Sequence, residues 1–410
     1  MQLNKLDVYF DNGRSTRLVG QLASYNRSVV FEYDAAWCGG GLELSPYKLP
    51  LSQQAHNLSD SGIYGIFGLF ADSLPDGWGM LLMDRSFLRR GVTRSQITPL
   101  DRLAFLGNHA MGALCYRPPL ANDDAVDAVL IGDMAREAFD IFEGRIEEAG
   151  PLLTKIGGSP GGARPKALIG ISDNGKRFVS GSGTLPNGYS HWLIKFATAK
   201  KHEGVLEFIY NEMAERAGIN VPERRLVTDD SGARHIATRR FDRTPGNGRR
   251  HIATASGILH ASHLAPTLDY SDLLKLAWQL TGDSIQVEEQ FRRAVFNYYA
   301  LNLDDHAKNH GYIMLDDGRW SLSPAYDLTY STGPHEHCTS YLGKGAELSE
   351  NDLASLAAKG AIDNSAAVRI IEQVKDSVAM FKRLAANHGL PAKVTSPIAK
   401  ELDSLILHYH

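Results

Sequence analysis

Two aspartates and an asparagine in the second half of the chain have the types and spacing for phosphoryl transfer. Segment 302–312 reads N-L-D-D-H-A-K-N-H-G-Y and sets Asp304 five positions before Asn309. A second segment, L-S-P-A-Y-D-L at 322–328, brings Asp327. In such a layout one aspartate takes or orients a hydroxyl proton, and an asparagine and a second aspartate hold Mg²⁺ against nucleotide phosphates. The protein does little covalent work, so a few well-placed oxygens suffice. Read blandly, D-x-x-x-x-N is also a polar loop with an Asx turn at Asp304.

Other groups upstream suit the same chemistry. Segment 156–166, I-G-G-S-P-G-G-A-R-P-K, holds Gly157, Gly158, Gly161 and Gly162 around Ser159. Glycines let backbone approach a bound group, and successive N–H groups can cradle phosphate oxygens. G-K-[ST] is missing, so this is not a Walker A loop. The apolar run 167–171 after it reads as a strand, which suggests a glycine-rich turn between strands; a surface hairpin is the alternative. Segment 190–196, S-H-W-L-I-K-F, reads as a buried strand with one lysine, Lys195. A buried ammonium needs a counter-charge, whereas a strand-end lysine can reach water. Helix 204–217 carries Glu207 and Glu212, either of which could pair with Lys195. Asp72 and Asp76, in F-A-D-S-L-P-D-G-W-G at 70–79, suggest metal ligands, but helix capping and turn formation are the simpler account.

The framework around these groups divides into a β-rich front and a helical back. Alternation at Leu6, Val8 and Phe10 and the strand 28–33 suggest a small antiparallel unit. Helices are expected over 80–90, 99–107 and 133–148. Segment 235–243 is strand-rich, and T-P-G-N-G at 244–248 reads as a linker. Beyond it, helices are expected over 270–281, 287–301, 350–359 and 365–388. The chain has 410 residues, 43% hydrophobic and 22% charged, with net charge −4. Those values suit two or three domains or one large two-lobed enzyme, and the net charge argues against nucleic acid as the main ligand except through a local basic patch. Cys38, Cys115 and Cys338 are too few and too scattered for a disulfide framework or zinc ribbon. With neither a signal-peptide pattern nor a spanning apolar run, a soluble cytoplasmic protein without membrane contact is expected.

Several blocks together resemble a known family. G-S-P-G-G-A-R-P-K at 158–166, H-W-L-I-K-F at 191–196, R-R-F-D-R at 239–243, L-D-D-H-A-K-N-H-G at 303–311 and L-S-P-A-Y-D-L at 322–328 are similar to those of the HipA family. F-A-D-S-L-P-D-G-W-G at 70–79 and T-P-L-D-R-L-A-F-L-G at 98–107 resemble that family's N-terminal subdomain, so the likeness spans nearly the whole chain. These are bacterial serine/threonine kinases, usually the toxin half of a type II toxin–antitoxin pair.

The resemblance implies an α+β, two-lobed fold related to protein and phosphoinositide kinases. It implies an N-terminal subdomain over 1–120, an ATP-binding β-rich part over 121–243 and a helical catalytic lobe over 249–410. ATP and Mg²⁺ would be used. Asp304 would be the base, Lys195 would contact the ATP phosphates, and His306 would position the catalytic loop. Asn309 and Asp327 would hold Mg²⁺. Gly157, Gly158, Ser159, Gly161, Gly162, Ala163 and Lys166 would contribute to the nucleotide site, with Glu207, Arg239 and Phe241. Ser159 would be autophosphorylated, and its phosphate would repel the nucleotide from the same N–H groups. The implied partners are a small helix-turn-helix antitoxin, operator DNA through it, and a translation target such as an aminoacyl-tRNA synthetase. Some relatives carry an acidic residue in place of Arg239, and Pro160 removes an N–H donor from the cradle. Two rival readings are a co-repressor scaffold on the antitoxin and a small-molecule phosphotransferase of the same fold.

Overall fold

A computed structural model of the chain describes residues 3–25, 28–58, 63–120, 127–146, 150–157, 161–331, 333 and 335–407. Its first sheet grows from the expected alternation. In β1 (Lys5–Asp11), Leu6, Val8 and Phe10 face the core. β2 (Thr16–Tyr25), β3 (Ser28–Tyr33), β4 (His56–Asn57) and β5 (Leu114–Arg117) complete a five-stranded sheet of order β4-β3-β2-β1-β5. Helices α1 (Ala35–Gly40), α2 (Gly68–Ala71), α3 (Gly77–Arg89) and α4 (Pro99–Leu106) share its core through Trp37, Phe70, Phe87 and Leu103. The start of α4 is written in the sequence: Thr98 and Asp101 form a capping box and Pro99 fits the first turn.

The second sheet is β6 (Lys166–Ser172), β7 (Phe178–Ser180), β8 (Tyr189–Lys195), β9 (Arg224–Thr228) and β10 (Arg234–Arg239), in the order β7-β6-β8-β10-β9. All its pairings are antiparallel. Every residue of β6 is buried, hence its unbroken apolar run. Helices α5 (Ile131–Phe142) and α6 (Pro151–Gly157) pack on this sheet, α5 being shorter than the expected 133–148 and shifted towards the N-terminus. The glycine-rich segment follows α6, so it joins a helix to a strand rather than two strands. Helix α7 (Glu203–Arg216) lies against β10, but its face of Val205, Ile209 and Met213 enters the core of the helical half.

The expected linker at 244–248 is a tied hairpin. β11 (Arg243–Thr244) pairs with β12 (Gly248–Arg249). Asn247 Oδ1 accepts from Leu185 N–H at 2.8 Å, and both Arg243 and Arg249 donate to Gly112 O at 3.0 Å. The Pro-Gly-Asn-Gly composition marked the turn correctly; side chains far away in sequence make it rigid.

Strand β13 (Ile252–Thr254) and helix α8 (Ala255–Leu259) open the last part. After β14 (Leu268–Asp269) come α9 (Tyr270–Thr281) and α10 (Ser284–Tyr299). β15 (Gly311–Met314) and β16 (Trp320–Leu322) form a hairpin that β13 extends, and β17 (Thr339–Ser340) pairs parallel with β14. Helices α11 (Glu350–Lys359), α12 (Asn364–Ala379), α13 (Phe381–Asn387) and α14 (Ala392–Leu407) finish the chain. α9 and α11 match expectation, each opened by a capping box. The expected helix over 365–388 is two helices: the chain turns at Met380, and buried Phe381 meets Tyr210 edge-on at 6.2 Å. Among the described residues no helix is long and apolar enough to cross a membrane.

Hairpin β15–β16 explains how Asn309 and Asp327 come together. Its strands are antiparallel, with Tyr312 opposite Leu322, so the chain before β15 and the chain after β16 leave at the same end.

Candidate active site

A cleft with about 1120 Å³ of empty space, open to solvent, gathers the candidate residues from both halves. Gly161, Gly162, Lys166, Lys195, Glu207, Arg239, Phe241, His306, Asn309 and Asp327 line it. Asp304 lies five residues before Asn309, whose Nδ2 donates to Asp304 O at 2.6 Å. Gly157 ends α6 just outside the cleft, and Ala163 is exposed beside it. Gly158, Ser159 and Pro160 fall outside the described residues.

Lys195 ends β8 between two carboxylates, Glu207 of α7 and Asp327. Glu207, not Glu212, is the partner; Glu212 binds Arg216 and His388 on the outer side of the helix. The Lys195 and Glu207 side chains are 8% and 2% exposed, so this pair is desolvated. Burial would lower the Lys195 ammonium, but Asp327 and Glu207 outweigh it and hold it above its ordinary value. Burial likewise works against the Asp327 carboxylate, yet Lys195 and Lys166 keep it well below the usual range. Arg164 gives Glu207 a second cation at 3.0 Å. Asp327 has φ +55°, a left-handed backbone that non-glycine residues keep mainly where the surroundings enforce it.

The two adjacent aspartates of the 302–312 segment differ in burial and bonding. Asp305 is fully buried and accepts from Tyr270 Oη at 2.8 Å, His337 Nδ1 at 2.9 Å and Thr339 N–H at 3.1 Å. Asp304 is 62% exposed. His306 Nε2 stands 3.9 Å from the Asp304 carboxylate, beyond hydrogen-bond reach, so it flanks that group without binding it. The loop is further fixed by His310, which donates to Asp305 O at 3.0 Å and which burial pushes down to about 4.

Lys166 opens β6, is 3% exposed and donates to Gly161 O. Burial pushes it down to about 8, partly offset by Asp327. Phe241 and Tyr326 stack at 5.8 Å with 27° between their planes, forming an aromatic wall of the cleft. Arg239 turns outward to Glu223 at 2.9 Å, so its stem borders the cleft while its charge is spent elsewhere. Behind Phe241, Arg240 grips Asp242 through two bonds of 2.9 and 2.7 Å, and Asp242 accepts from Gly112 N–H at 2.8 Å.

Asp72, Asp76, Arg164, Lys308 and Tyr326 reach the site although no local signal assigned them to it. Asp72 and Asp76 do not serve as the expected side-chain caps. Asp76 makes no cap hydrogen bond to α3, and Asp72 accepts from Thr254 N–H and Oγ, each at 2.7 Å. Burial raises the Asp72 carboxyl to about 6, against the opposing pull of Thr254 and Lys308. A folded value above the unfolded 3.8 contributes stability below that pH and loses it as pH rises through 6. Asp72→Asn can keep both Thr254 contacts. It should therefore gain on wild type by on the order of 2 kcal/mol between pH 4 and pH 7. Urea melts of both proteins at the two pH values check this, and equal gains at both would refute it.

The family model for the HipA-like C-terminal domain matches residues 158–381, and that for the HipA N-terminal domain matches residues 6–117. A Sinorhizobium fredii protein whose name carries the word kinase is 30% identical over 232 residues, covering 50% of this chain and 55% of that protein. The chain thus spans about half the length of that relative. The serine/threonine-protein kinase toxin HipA of Shewanella oneidensis is 24% identical over 347 residues, covering 76% of this chain and 72% of the toxin. A solved Shewanella oneidensis structure, of HipA with HipB and its operator DNA, superposes with TM-score 0.74 at 19% identity. It covers 98% of this chain and 97% of that one. That likeness shows the fold: mixed helix and sheet, sheet-rich towards the N-terminus and helical towards the C-terminus. With the C-terminal family model covering more than half of its length, the chain belongs to the HipA family.

Proposed function

We propose that this chain is an ATP- and Mg²⁺-dependent serine/threonine protein kinase. The observation that carries this reading is Lys195, buried between Glu207 and Asp327 at the floor of a cleft edged by glycines and by the 302–309 loop. A desolvated lysine–glutamate pair beside a second acid is how kinases keep an ammonium aimed at nucleotide phosphates. Asp304, exposed at the cleft's edge, takes the proton of the acceptor hydroxyl. The hydroxyl oxygen bonds to the γ-phosphorus, the bond from that phosphorus to the β–γ bridging oxygen breaks, and ADP leaves. Lys195 and Lys166 offset phosphate charge, and the Phe241–Tyr326 wall suits a base. Asn309 and Asp327 would hold Mg²⁺, which when bound supplies neutralising charge at the phosphates. Among the described residues no three His, Cys, Asp or Glu side chains are placed to hold a metal ion by themselves, so phosphate and water oxygens would complete the coordination.

The family resemblance and the solved HipA–HipB–DNA relative support a finer reading. The kinase is a toxin held by a small helix-turn-helix antitoxin, through which it meets operator DNA. Its target is a translation component such as an aminoacyl-tRNA synthetase, and it phosphorylates its own Ser159.

Intact mass after incubation with Mg²⁺-ATP tests the core of this. Wild type should gain one phosphate, mapped to Ser159, and Asp304→Asn none. Equal phosphate gain in both proteins would remove Asp304 from the chemistry. No gain in either, with no ATP binding by calorimetry, would remove the kinase.

A further inference from the structure

Asp76 belongs neither to the 302–309 loop nor to the glycine-rich segment, yet it touches both. One carboxylate oxygen accepts the Gly162 N–H. The other lies 3.6 Å from Lys308 Nζ and 4.0 Å from His263 Nε2. The next residues add to the grip. Trp78 N–H donates to Gly162 O at 3.1 Å, and the Trp78 indole N–H donates to Lys166 O at 2.9 Å. Gly77 between them has φ +38°, and a Cβ there would stand 2.6 Å from Ala163 Cα. That backbone contact therefore admits only glycine. Lys308 is held from the same side, by Leu74 O at 3.4 Å and over the Tyr64 ring at 5.5 Å. Asp76 is 14% exposed, so its bonds are partly shielded from water.

We infer that Asp76 is a positioning residue that latches the C-terminal side of the glycine-rich segment to the catalytic loop. The inference rests on the kinase reading for its consequence but not for its geometry. Glycines lose more conformational freedom on ordering than other residues, so a segment with Gly161 and Gly162 needs an external tether to hold its N–H groups towards a ligand. Here the tether is a charge-assisted bond from Asp76. Its second oxygen pairs with Lys308, so the two loops are placed relative to each other by the first α/β unit of the chain. The nucleotide site is thereby coupled to a unit that contributes neither the base nor the buried lysine.

Hydrogen exchange at residues 161–164 of the nucleotide-free full chain, with ADP affinity measured beside it, tests the latch. Asp76→Ala should accelerate exchange there, and weaken ADP, by about 10–100-fold, the worth of one hydrogen bond to a charged group. Asp76→Asn keeps an acceptor oxygen for Gly162 and should restore most of the protection. Gly77→Ala leaves Asp76 in place but intrudes on Ala163, and should loosen the same residues. Wild-type exchange at 161–164 in Asp76→Ala would overturn the latch. So would acceleration spread evenly over the chain, which marks a general stability role. The exchange readout needs no phosphoryl transfer. Local loosening in Asp76→Ala, together with no ADP binding by wild type, would uphold the latch and sink the kinase reading.

Discussion

Asp304→Asn is expected to lower phosphoryl transfer by about 10²–10⁴-fold, the usual worth of a positioned general base. The structure makes this a clean test. Asp304 is 62% exposed, and Asn309 binds its backbone oxygen rather than its carboxylate. An isosteric amide at such a surface position should shift stability by no more than about 0.5 kcal/mol. ADP affinity should stay close to wild type, because the loss falls on kcat. Asp305→Asn is the matched control. That carboxylate accepts from Tyr270, His337 and Thr339 in full burial, and an amide cannot accept from all three. The loss should therefore appear as a lower melting temperature, by the mechanism of an unsatisfied buried polar group. Turnover and thermal melts of the two variants should separate chemistry from architecture. A Asp304→Asn protein with wild-type turnover would assign the base elsewhere.

The second large effect is expected from Lys195→Met. Methionine fills similar space but removes the one ammonium shared by Glu207 and Asp327. Breaking a buried pair by deleting one partner costs about 3–5 kcal/mol, because the remaining charge stays desolvated. Glu207 is 2% exposed and cannot turn to water, although Arg164 still reaches it at 3.0 Å. Asp327, at 33% exposed, can be solvated, which places the cost mainly on Glu207. Adding Glu207→Gln to Lys195→Met should then recover much of the stability and none of the activity. Denaturant melts of the single and double variants measure the coupling. If the double variant is no more stable than the single, the desolvation account fails.

The candidate groups of the site were legible in the sequence because they sit in short local blocks. Asp304 and Asn309 share one loop, and Asp327 follows one hairpin later, so local spacing already brought the candidates into view. A lysine inside an apolar strand announced a counter-charge, and the helix after it offered two. Choosing Glu207 over Glu212 needed the packing of α7, whose buried face turns one glutamate inward and the other towards Arg216 and His388. The D-x-x-x-x-N spacing singles out Asp304 over its neighbour, and only burial shows that Asp305 is taken up by the fold.

What stayed hidden is whatever long-range contacts decide. The turn at 244–248 reads as a linker by composition, but Leu185 and Gly112 tie it down across 62 and 137 residues of chain. Asp72 and Asp76 read as caps, since carboxylates before helices usually are. Their partners are Thr254, 182 residues from Asp72, and Gly162, 86 residues from Asp76, with Lys308 farther still along the chain. Periodicity, caps and turn residues act over a few positions, so the sequence by itself determined the elements, the family likeness and the chemical groups. Only the tertiary structure decided which carboxylate meets which ammonium, because a buried charge takes the partner that packing brings within reach.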